Sequence, residues 1–205
     1  MKSRQITPHV TQLTLWRMVN AFLVVENDGS VTLIDTTMKQ GTSGILKAAG
    51  GRLTRIALTH NHSDHIGGVD TLKAELGDSV QLLWPEGDTV TTQTQPDTLL
   101  KTGDRVGSLE VVASPGHSPG HIAFLDTRDQ TLFAGDVYST AGGVRVTNQV
   151  NPLFPLVGMA TEDRDLDLES ARKLAALEPA LLAVGHGKSI GDPQAAMDAA
   201  IRRGS

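Results

Sequence analysis

Short runs of apolar residues set the pattern of this chain, and the first of them have the composition of β-strands. Residues 10–16, 19–26 and 31–34 are rich in β-branched and aromatic side chains, which favour extended backbone. Between the second and third runs, residues 27–30 read Asn-Asp-Gly-Ser, a strong signal for a hairpin turn. The pattern predicts that the chain begins with a meander of three strands.

Helical periodicity enters further along the chain. Val69, Leu72 and Leu76 lie three and four residues apart and are followed by Gly77, which predicts a helix over residues 69–76. Further helices are predicted at residues 41–49, 162–177 and 193–202, and further strands at residues 55–58, 80–84, 109–112, 122–125, 131–134 and 181–184. Two polar or aperiodic segments are predicted as loops, residues 86–100, with room for one small strand, and residues 141–160.

The helix predicted over residues 162–177 has the clearest boundaries. Thr161 stands at its start as the predicted N-cap, acidic residues crowd its first turn, and Pro179 lies just beyond its end. Strands dominate the first part of the chain and alternate with helices later, without a break in composition. This order predicts an α/β fold in a single domain over residues 1–205.

Composition narrows the possible functions. The chain has 205 residues, a net charge of −5 and only two Trp, one Tyr and four Phe, so neither a basic surface nor many stacking aromatics are available for nucleic acid. No apolar run is long enough to cross a bilayer, and no signal-peptide core follows the N-terminus. Cysteine is absent, which suits a reducing compartment. We therefore expect a soluble cytoplasmic protein that acts on a small molecule, without nucleic-acid or membrane partners, while a homodimer stays possible.

Metal-ligating side chains concentrate after the strand predicted at residues 55–58. His60, His62, Asp64 and His65 fall within six residues, although the chain has only seven His. Alternate side chains of an extended segment share a face, so His60 and His62 can converge on one point. Asp64 and His65 follow as the chain turns and can face a second point. Imidazole nitrogens and carboxylate oxygens are ligands for zinc and similar metals, so this stretch predicts a metal site.

Three later residues repeat the same design, because His117, Asp136 and His186 each follow an apolar strand. Together with the first four they make seven candidate ligands, too many for one tetrahedral zinc and suited to two metals that share a carboxylate. His121 follows His117 by four residues, and spacing alone would allow either to be the ligand. His9, near the N-terminus, is predicted to be a solvated bystander.

The Thr-His-Asn-His-Ser-Asp-His-Ile-Gly-Gly string at residues 59–68 resembles the signature of the metallo-β-lactamase-fold superfamily of hydrolases. Matching motifs follow in the same order up to Gly187. The resemblance implies a four-layer αβ/βα sandwich and two divalent metal ions, with zinc expected and iron or manganese as alternatives. It also implies the ligand sets: one ion held by His60, His62 and His117, the other by Asp64, His65 and His186, with Asp136 bridging both.

The same resemblance implies catalytic roles for Asp64, Asp136 and Tyr138, but some positions stay open. Tyr138 lies two residues after Asp136, close to where related lactonases carry a Tyr, and could equally be a partly exposed aromatic at a strand end. Asp35, at the end of the strand over residues 31–34, could support the metal loop or cap a neighbouring turn. The family's ligand is the first His of the Pro-Gly-His-Ser-Pro-Gly-His string, which leaves His121 a supporting or packing role.

The expected function is hydrolysis of a small ester-like bond, a lactone or a thioester, by water activated between two metals. The alternatives are an iron persulfide dioxygenase with one metal, β-lactam hydrolysis as a main or side activity, and a metal-binding protein without catalysis. The absence of Cys and the presence of Asp136 argue against the main β-lactamase groups of the fold. Glyoxalase II shares the ligand motifs but adds a glutathione-binding helical domain, for which residues 188–205 leave little room.

Residues 141–160 are unusually apolar for a predicted loop, with Val, Leu, Phe and Met at many positions. Loops normally run over the surface in polar sequence, so these side chains are expected to pack against something. One interpretation is that they cover the core or a dimer contact. The other is that Phe154 and Leu156 line a wall of the substrate pocket beside the metals, because one end of the segment lies close to Asp136 in the sequence.

Overall fold

The computed structural model describes all residues, 1–205, and divides the chain into two compact units, Met1–Leu100 and Lys101–Ser205. Each unit contains one large mixed sheet and helices, so the predicted α/β class is confirmed. The single-domain assignment over residues 1–205 stays a prediction. None of the six α-helices has the length and apolar character needed to cross a bilayer.

The first unit is built on a seven-stranded sheet whose strands follow one another in chain order. The first four strands pair antiparallel and the last three join them in parallel. The strands are β1 (Lys2–Gln5), β2 (Val10–Leu15), β3 (Val19–Val25), β4 (Val31–Ile34), β5 (Leu53–Ala57), β6 (Gln81–Pro85) and β7 (Thr98–Leu100). The predicted meander is thus correct, and β7 is the small strand expected within residues 86–100.

Three helices accompany this sheet: α1 (Thr42–Ala49), α2 (Ser63–Ile66) and α3 (Val69–Leu76). Ile45 of α1 and Leu72 of α3 are fully buried in one apolar cluster with the sheet residues Leu33, Ile56 and Leu82. This cluster supports β4 and β5, whose parallel carboxyl ends lead directly into the polar residues that follow. The metal-ligating motif therefore starts from rigid backbone.

The second unit has a six-stranded sheet in the order β15-β14-β11-β10-β9-β8 and a separate two-stranded ribbon of β12 and β13. Its strands are β8 (Arg105–Val106), β9 (Leu109–Ala113), β10 (Ile122–Asp126), β11 (Thr131–Phe133), β12 (Tyr138–Ser139), β13 (Arg145–Val146), β14 (Leu181–Ala183) and β15 (Ile190–Gly191). Its helices are α4 (Pro155–Ala160), α5 (Arg164–Ala175) and α6 (Gln194–Gly204). Apolar side chains of α5 and α6, among them Leu174 and Met197, share a buried cluster with Leu132 and Leu182 of the sheet.

Two predictions for the second unit are corrected. Residues 141–160 are not a plain loop, because they contain β13 and the six-residue helix α4. The N-cap of α5 is Asp163, whose side chain accepts a hydrogen bond from the Leu166 N–H at 3.0 Å, and not Thr161. A carboxylate three residues before a free N–H caps a helix as well as a hydroxyl does, and the sequence had placed Asp163 only among the acids of the first turn. Thr161 instead contacts the candidate ligand His117.

Candidate metal centre

In the first unit, the predicted ligands lie within residues 59–65, which follow β5 and run into α2. We call this segment the ligand loop. The ring centroid of His60 lies 4.7 Å from that of His62 and 4.2 Å from that of His65, so the three imidazoles form one cluster. His62 has extended backbone at the N-cap position of α2, while Asp64 and His65 lie within this one-turn helix. The change from extended to helical backbone therefore explains how neighbouring ligands face different directions.

Asp35 orients two of these imidazoles from beneath. Its Oδ2 lies 2.8 Å from His65 Nδ1, and its Oδ1 accepts the Thr59 N–H at 2.9 Å. The Thr59 hydroxyl donates to Asp35 Oδ2 at 2.9 Å and lies 2.9 Å from His60 Nδ1. The Thr59 hydroxyl gives its proton to Asp35, so His60 must carry its own proton on Nδ1. His65 also carries its proton on Nδ1, because that atom faces the Asp35 carboxylate. Both imidazoles are left with Nε2 as the metal-binding atom. The supporting interpretation of Asp35 is confirmed.

The backbone of Asp35 is itself unusual, with φ of 57° in the left-handed region. Asp tolerates this region better than most residues, and backbone strain of this kind often accompanies functional sites. The conformation follows the end of β4, and the Asp35 N–H donates to Ala57 O of β5 at 3.0 Å. The carboxylate is thereby held directly below the ligand loop.

Asp88 fixes the opposite side of the ligand loop and was missed by sequence reasoning, which assigned it only to a polar loop. Its carboxylate accepts the Asn61 N–H at 2.9 Å, and the Asn61 side-chain amide donates to Thr89 O at 3.2 Å. Asp88 is in turn held by Trp84, whose indole N–H donates to its carbonyl at 3.1 Å. No motif in the sequence distinguishes Asp88 from other loop acids, so only the fold could reveal it.

In the second unit, His117, Asp136 and His186 come together as a second group, here called the carboxylate cluster. Asp136 Oδ2 lies 3.1 Å from His186 Nε2 and 3.5 Å from His117 Nε2. All three side chains are buried, so a carboxylate and two imidazoles approach one another where few waters can reach. One carboxylate oxygen close to two separate imidazole nitrogens is the arrangement that a shared metal ligand needs.

Thr161 orients His117 in the way that Thr59 orients His60. Its hydroxyl donates to Thr147 O at 2.9 Å and lies 3.0 Å from His117 Nδ1, which is therefore the donor in that contact. His117 is left with Nε2 directed at Asp136. The residue predicted as a helix cap thus stabilises the tautomer of a candidate ligand, across 44 residues of sequence.

His121 supports Asp136, as the supporting interpretation of His121 predicted. Its Nε2 accepts the backbone N–H of Asp136 at 3.1 Å, and its Nδ1 lies 2.9 Å from the Ser114 hydroxyl. Because Nε2 acts as an acceptor, Nδ1 must carry the proton of the neutral ring. His121 therefore lies beneath the carboxylate cluster and fixes the backbone from which Asp136 projects.

Asp167 is a buried acid beneath the same backbone and was not singled out in the sequence. Its Oδ2 lies 3.1 Å from the Thr147 hydroxyl, which donates to Asp136 O at 2.5 Å. Burial raises the pKa of Asp167 to about 8, with the hydrogen bond from Thr147 opposing this shift and the charge of Asp136 adding to it. The available signal was its spacing with Ala171 and Leu174, which places an acid on the apolar face of α5.

Glycines permit two of the close approaches around the carboxylate cluster. Gly116, with φ of 130°, precedes His117, and a Cβ there would clash with the backbone of Asp167. Gly187, with φ of 113°, follows His186, and a Cβ there would clash with Thr140. A side chain at either position would push a candidate ligand out of place.

Tyr138 does not have the position that a catalytic assignment requires. Its side chain is fully buried in the apolar cluster of the second unit, and its hydroxyl donates to Ala171 O of α5 at 2.7 Å. Burial, and secondarily the charge of Asp167, raises the pKa of this hydroxyl. The alternative of a partly exposed strand-end aromatic is also wrong. Tyr138 therefore has a packing role, and we assign it no part in the chemistry.

The remaining predicted residues divide clearly. Asp64 keeps 30% of its side chain exposed, with its Oδ2 at 4.0 Å from His65 Nε2. His9 is half-buried beside β2, outside the groups of candidate ligands, and its carbonyl accepts the Val25 N–H at 2.9 Å. Phe154, from the apolar segment, stacks at a tilt near His186 with ring centroids 5.2 Å apart. One residue of that segment therefore does touch a candidate ligand.

The donor set fits divalent metal ions. It comprises five imidazoles and two carboxylates, with no thiolate, which suits zinc, iron or manganese. Groups of these His and Asp residues could each hold a metal ion. In both units the imidazoles His60, His65 and His117 present Nε2 because a carboxylate or hydroxyl occupies Nδ1. This second layer of hydrogen bonds is typical of metal-ligating His.

Curated relatives cover the chain to different extents. An uncharacterised protein of Bacillus subtilis (strain 168), YobT, is 36% identical over 93% of this chain and 95% of its own length. A hydroxyacylglutathione hydrolase of Cereibacter sphaeroides (strain ATCC 17029 / ATH 2.4.9) is 34% identical over 81% of this chain, but the match spans only 61% of that enzyme. The likeness to this hydrolase is therefore limited to part of its length.

Solved structures agree on the fold. The BLEG-1 B3 metallo-beta-lactamase superposes with a TM-score of 0.70 at 25% identity, covering 90% of this chain and 95% of its own. TTHA1623 in a di-iron-bound form gives a TM-score of 0.69 at 24% identity, covering 95% and 96%. These neighbours confirm the fold class expected from the motifs. The family model of the metallo-beta-lactamase superfamily matches residues 14–186, and this chain is a member of that superfamily.

Proposed function

We propose that this chain is a dinuclear metal-dependent hydrolase that cleaves a small ester-like bond, a thioester or a lactone. The observation that carries the proposal is the position of Asp136, whose Oδ2 lies within 3.1 Å of His186 Nε2 and 3.5 Å of His117 Nε2. Burying a carboxylate between two imidazoles costs free energy unless positive charge compensates it there. The ligand loop supplies four more ligands of matching chemistry.

In this proposal the ligands divide into two sets that share Asp136. His60, His62 and His117 would hold one ion, and Asp64, His65 and His186 would hold the other. These two groups of three, without Asp136, occur among the groups of residues whose side chains could hold a metal. When bound, two divalent ions supply Lewis acidity and lower the pKa of water enough to make it a nucleophile at neutral pH.

The protein's own residues position the ligands and handle the proton. Asp35, through Thr59 and His65, and Thr161, through His117, fix the tautomers that leave Nε2 free of hydrogen. Asp64 is the more exposed acid of the two proposed ligands, with 30% of its side chain accessible against 3% for Asp136. Its carboxylate is therefore the group that can accept a proton from the attacking water and return it to the leaving group.

A thioester is the first substrate class to test, because the Cereibacter relative carries the name hydroxyacylglutathione hydrolase. β-Lactam hydrolysis is the second candidate, because BLEG-1 is named as a B3 metallo-beta-lactamase and is 25% identical. A persulfide dioxygenase with one iron remains the alternative from another reaction class. It would use His60, His62 and Asp136 without the second ligand set.

One substrate panel, run with metal analysis on the same protein sample, tests the proposal. It contains thioesters, lactones, phosphodiesters and β-lactams at equal concentration. We expect the largest kcat/KM for a thioester or lactone, and loss of that activity after chelation with recovery on adding a divalent metal. Turnover confined to β-lactams, or oxygen consumption with a persulfide by a protein holding one iron, would replace the proposal with the corresponding alternative.

A further inference from the structure

The segment from Val146 to Thr161 lacks charge altogether. It contains no Asp, Glu, Lys, Arg or His, in a chain whose composition is 20% charged. An ionic group on a ligand would find no partner in this segment, while an apolar group would lose nothing by lying against it. The chemistry that this surface recognises is therefore hydrophobic.

Helix α4 is fixed on one side and exposed on the other. Val157 and Gly158 are buried, and a Cβ on Gly158 would clash with the backbone of Gln149, so the helix lies directly on the chain that precedes it. Leu153, which precedes the helix, and Leu156 and Met159 on it are exposed by 77%, 61% and 67%. These three residues, spaced three apart along the chain, form what we call the apolar stripe.

Exposed apolar residues are common when isolated, but several large ones close together in the chain can mark a binding surface. The conformation that presents them is specified locally. The side chain of Asn151 donates to Ala141 O at 2.8 Å and accepts the Leu153 N–H at 3.0 Å. Hydrogen bonds therefore hold the start of the stripe outward, although burial would favour turning it inward.

The inner end of the stripe lies beside the proposed reaction centre. Phe154, the N-cap residue of α4, sits between Leu153 and the rest of the stripe, and its ring is 5.2 Å from the ring of His186. Phe154 therefore contacts a candidate ligand and lies next to Leu153 in the chain. A substrate whose carbonyl lies at the ligands could extend its apolar tail past Phe154 towards the stripe.

We propose that the apolar stripe binds the hydrocarbon chain of the substrate, so that the enzyme prefers medium- or long-chain acyl thioesters, or lactones with an alkyl substituent of similar length. The inference rests on the proposed function. A second copy of this chain is the competing occupant, which sedimentation analysis distinguishes from the substrate. Phe154, next to the stripe in the chain, contacts the candidate ligand His186, and this favours the substrate chain as the occupant of the stripe.

The test compares butanoyl and decanoyl thioesters of one thiol in the wild-type enzyme and in Leu156→Ser and Met159→Ser. Burying several methylenes should make kcat/KM of the wild type at least about tenfold higher for the decanoyl substrate. Each variant should lower that ratio about threefold or more, with metal content unchanged. Leu99→Ser, on β7 of the other unit and 52% exposed, is the matched control and should leave the ratio unchanged.

Each contrary result identifies a different failure. Hydrolysis of butanoyl and decanoyl substrates at equal rates would overturn the stripe and leave the hydrolase standing. If neither thioester is hydrolysed and the lactones of the substrate panel are not hydrolysed either, the proposed function fails. Binding of the non-hydrolysable decyl and butyl thioethers by calorimetry then decides the stripe: equal affinity overturns it. A dimer in sedimentation analysis that Leu156→Ser dissociates, with an unchanged chain-length ratio, would assign the stripe to contact between copies.

Discussion

The two units supply metal-ligating residues in contrasting ways. In the first, four candidate ligands fall within the ligand loop, and one buried carboxylate, Asp35, orients His65 directly and His60 through Thr59. In the second, the carboxylate cluster draws His117, Asp136 and His186 from three distant segments, and His117 and Asp136 depend on different neighbours. The ligands of the ligand loop are neighbours in sequence, whereas those of the carboxylate cluster come together only when their whole unit folds.

This contrast predicts how many ligands a single substitution should affect. Around the ligand loop, the orientation of His65 directly and of His60 through Thr59 depends on the one carboxylate of Asp35. Around the carboxylate cluster, Thr161 secures His117, while His121, Thr147 and Asp167 secure the backbone of Asp136, so no one support serves both ligands. We therefore expect a steep order of effects: a shared ligand, then the shared support, then an individual support.

Removal of the shared ligand should have the largest effect. Asp136→Ala is expected to lower kcat/KM by about 10³-fold or more and to lower the content of both metals, because the proposed carboxylate belongs to both ligand sets. Metal analysis and kinetics on the same sample check this result. His9→Ala is the control and should change neither quantity; equal damage from the two variants would refute the ligand assignment.

Removal of the shared support should come next. Asp35→Asn keeps the shape of the side chain but takes away the charge that holds the Nδ1 protons of His65 and, through Thr59, of His60. We expect a loss of about 10- to 100-fold in metal affinity or activity, measured by competition with a chromophoric chelator. Asp28→Asn, in the exposed turn before β4, supplies the comparison. Metal affinity unchanged in Asp35→Asn would mean that the ligand loop does not need this carboxylate.

Removal of an individual support should be milder. Thr161→Val deletes the hydroxyl that accepts from His117 Nδ1 while preserving side-chain volume, so only one ligand loses its orientation. We expect about a tenfold reduction in kcat/KM at most, with Asp136 still held by His121. Thr127→Val, at an exposed turn of the same unit, should have no kinetic effect. A loss as large as that of Asp35→Asn would contradict the contrast between the units.

The smallest effect on activity is expected on substitution of Asp167. This substitution should instead alter how the free energy of unfolding depends on pH. The folded protein raises the pKa of this acid from its ordinary 3.8 to about 8, because the group is buried. Between these pH values the folded state binds a proton that the unfolded chain releases, so the free energy of unfolding falls as pH rises.

Asp167→Asn should remove that contribution. Denaturant unfolding between pH 4 and pH 8 should give a less negative slope of unfolding free energy against pH, by up to about 1.4 kcal/mol per pH unit. Asp165→Asn, exposed on the same helix, should leave the slope as in the wild type. Identical slopes for all three proteins would show that Asp167 is ionised when buried.

The sequence predicted local features well and tertiary supports poorly, for a physical reason. Helix α3 was predicted with its observed bounds, because periodicity and Gly77 are written in neighbouring residues. The seven candidate ligands were predicted because they follow apolar strands, and as metal ligands they stay predictions. Asp88 and Asp167 were missed, since an acid in a loop or helix becomes a support only through the fold that surrounds it. Thr161 was assigned a local role, the cap, when its partner is 44 residues away.

Short elements explain most of the remaining differences. Strands β8, β12, β13 and β15 have two residues each, too few for any alternation to be visible. Strand β1 is fully exposed, so its pairing with β2 depends on backbone hydrogen bonds that leave no apolar pattern. Helix α4 has only six residues and exposes Leu156 and Met159 while it buries Val157, so its apolar residues give no amphipathic pattern.

The central claim is that the ligand loop and the carboxylate cluster together serve two metal ions. Elemental analysis of protein purified without chelator, with the concentration measured by amino-acid analysis, tests this claim most directly. The proposal predicts about two equivalents of divalent metal per chain in the wild type, falling below one in Asp136→Ala. A reproducible single equivalent of iron in the wild type would contradict it and favour the mononuclear alternative.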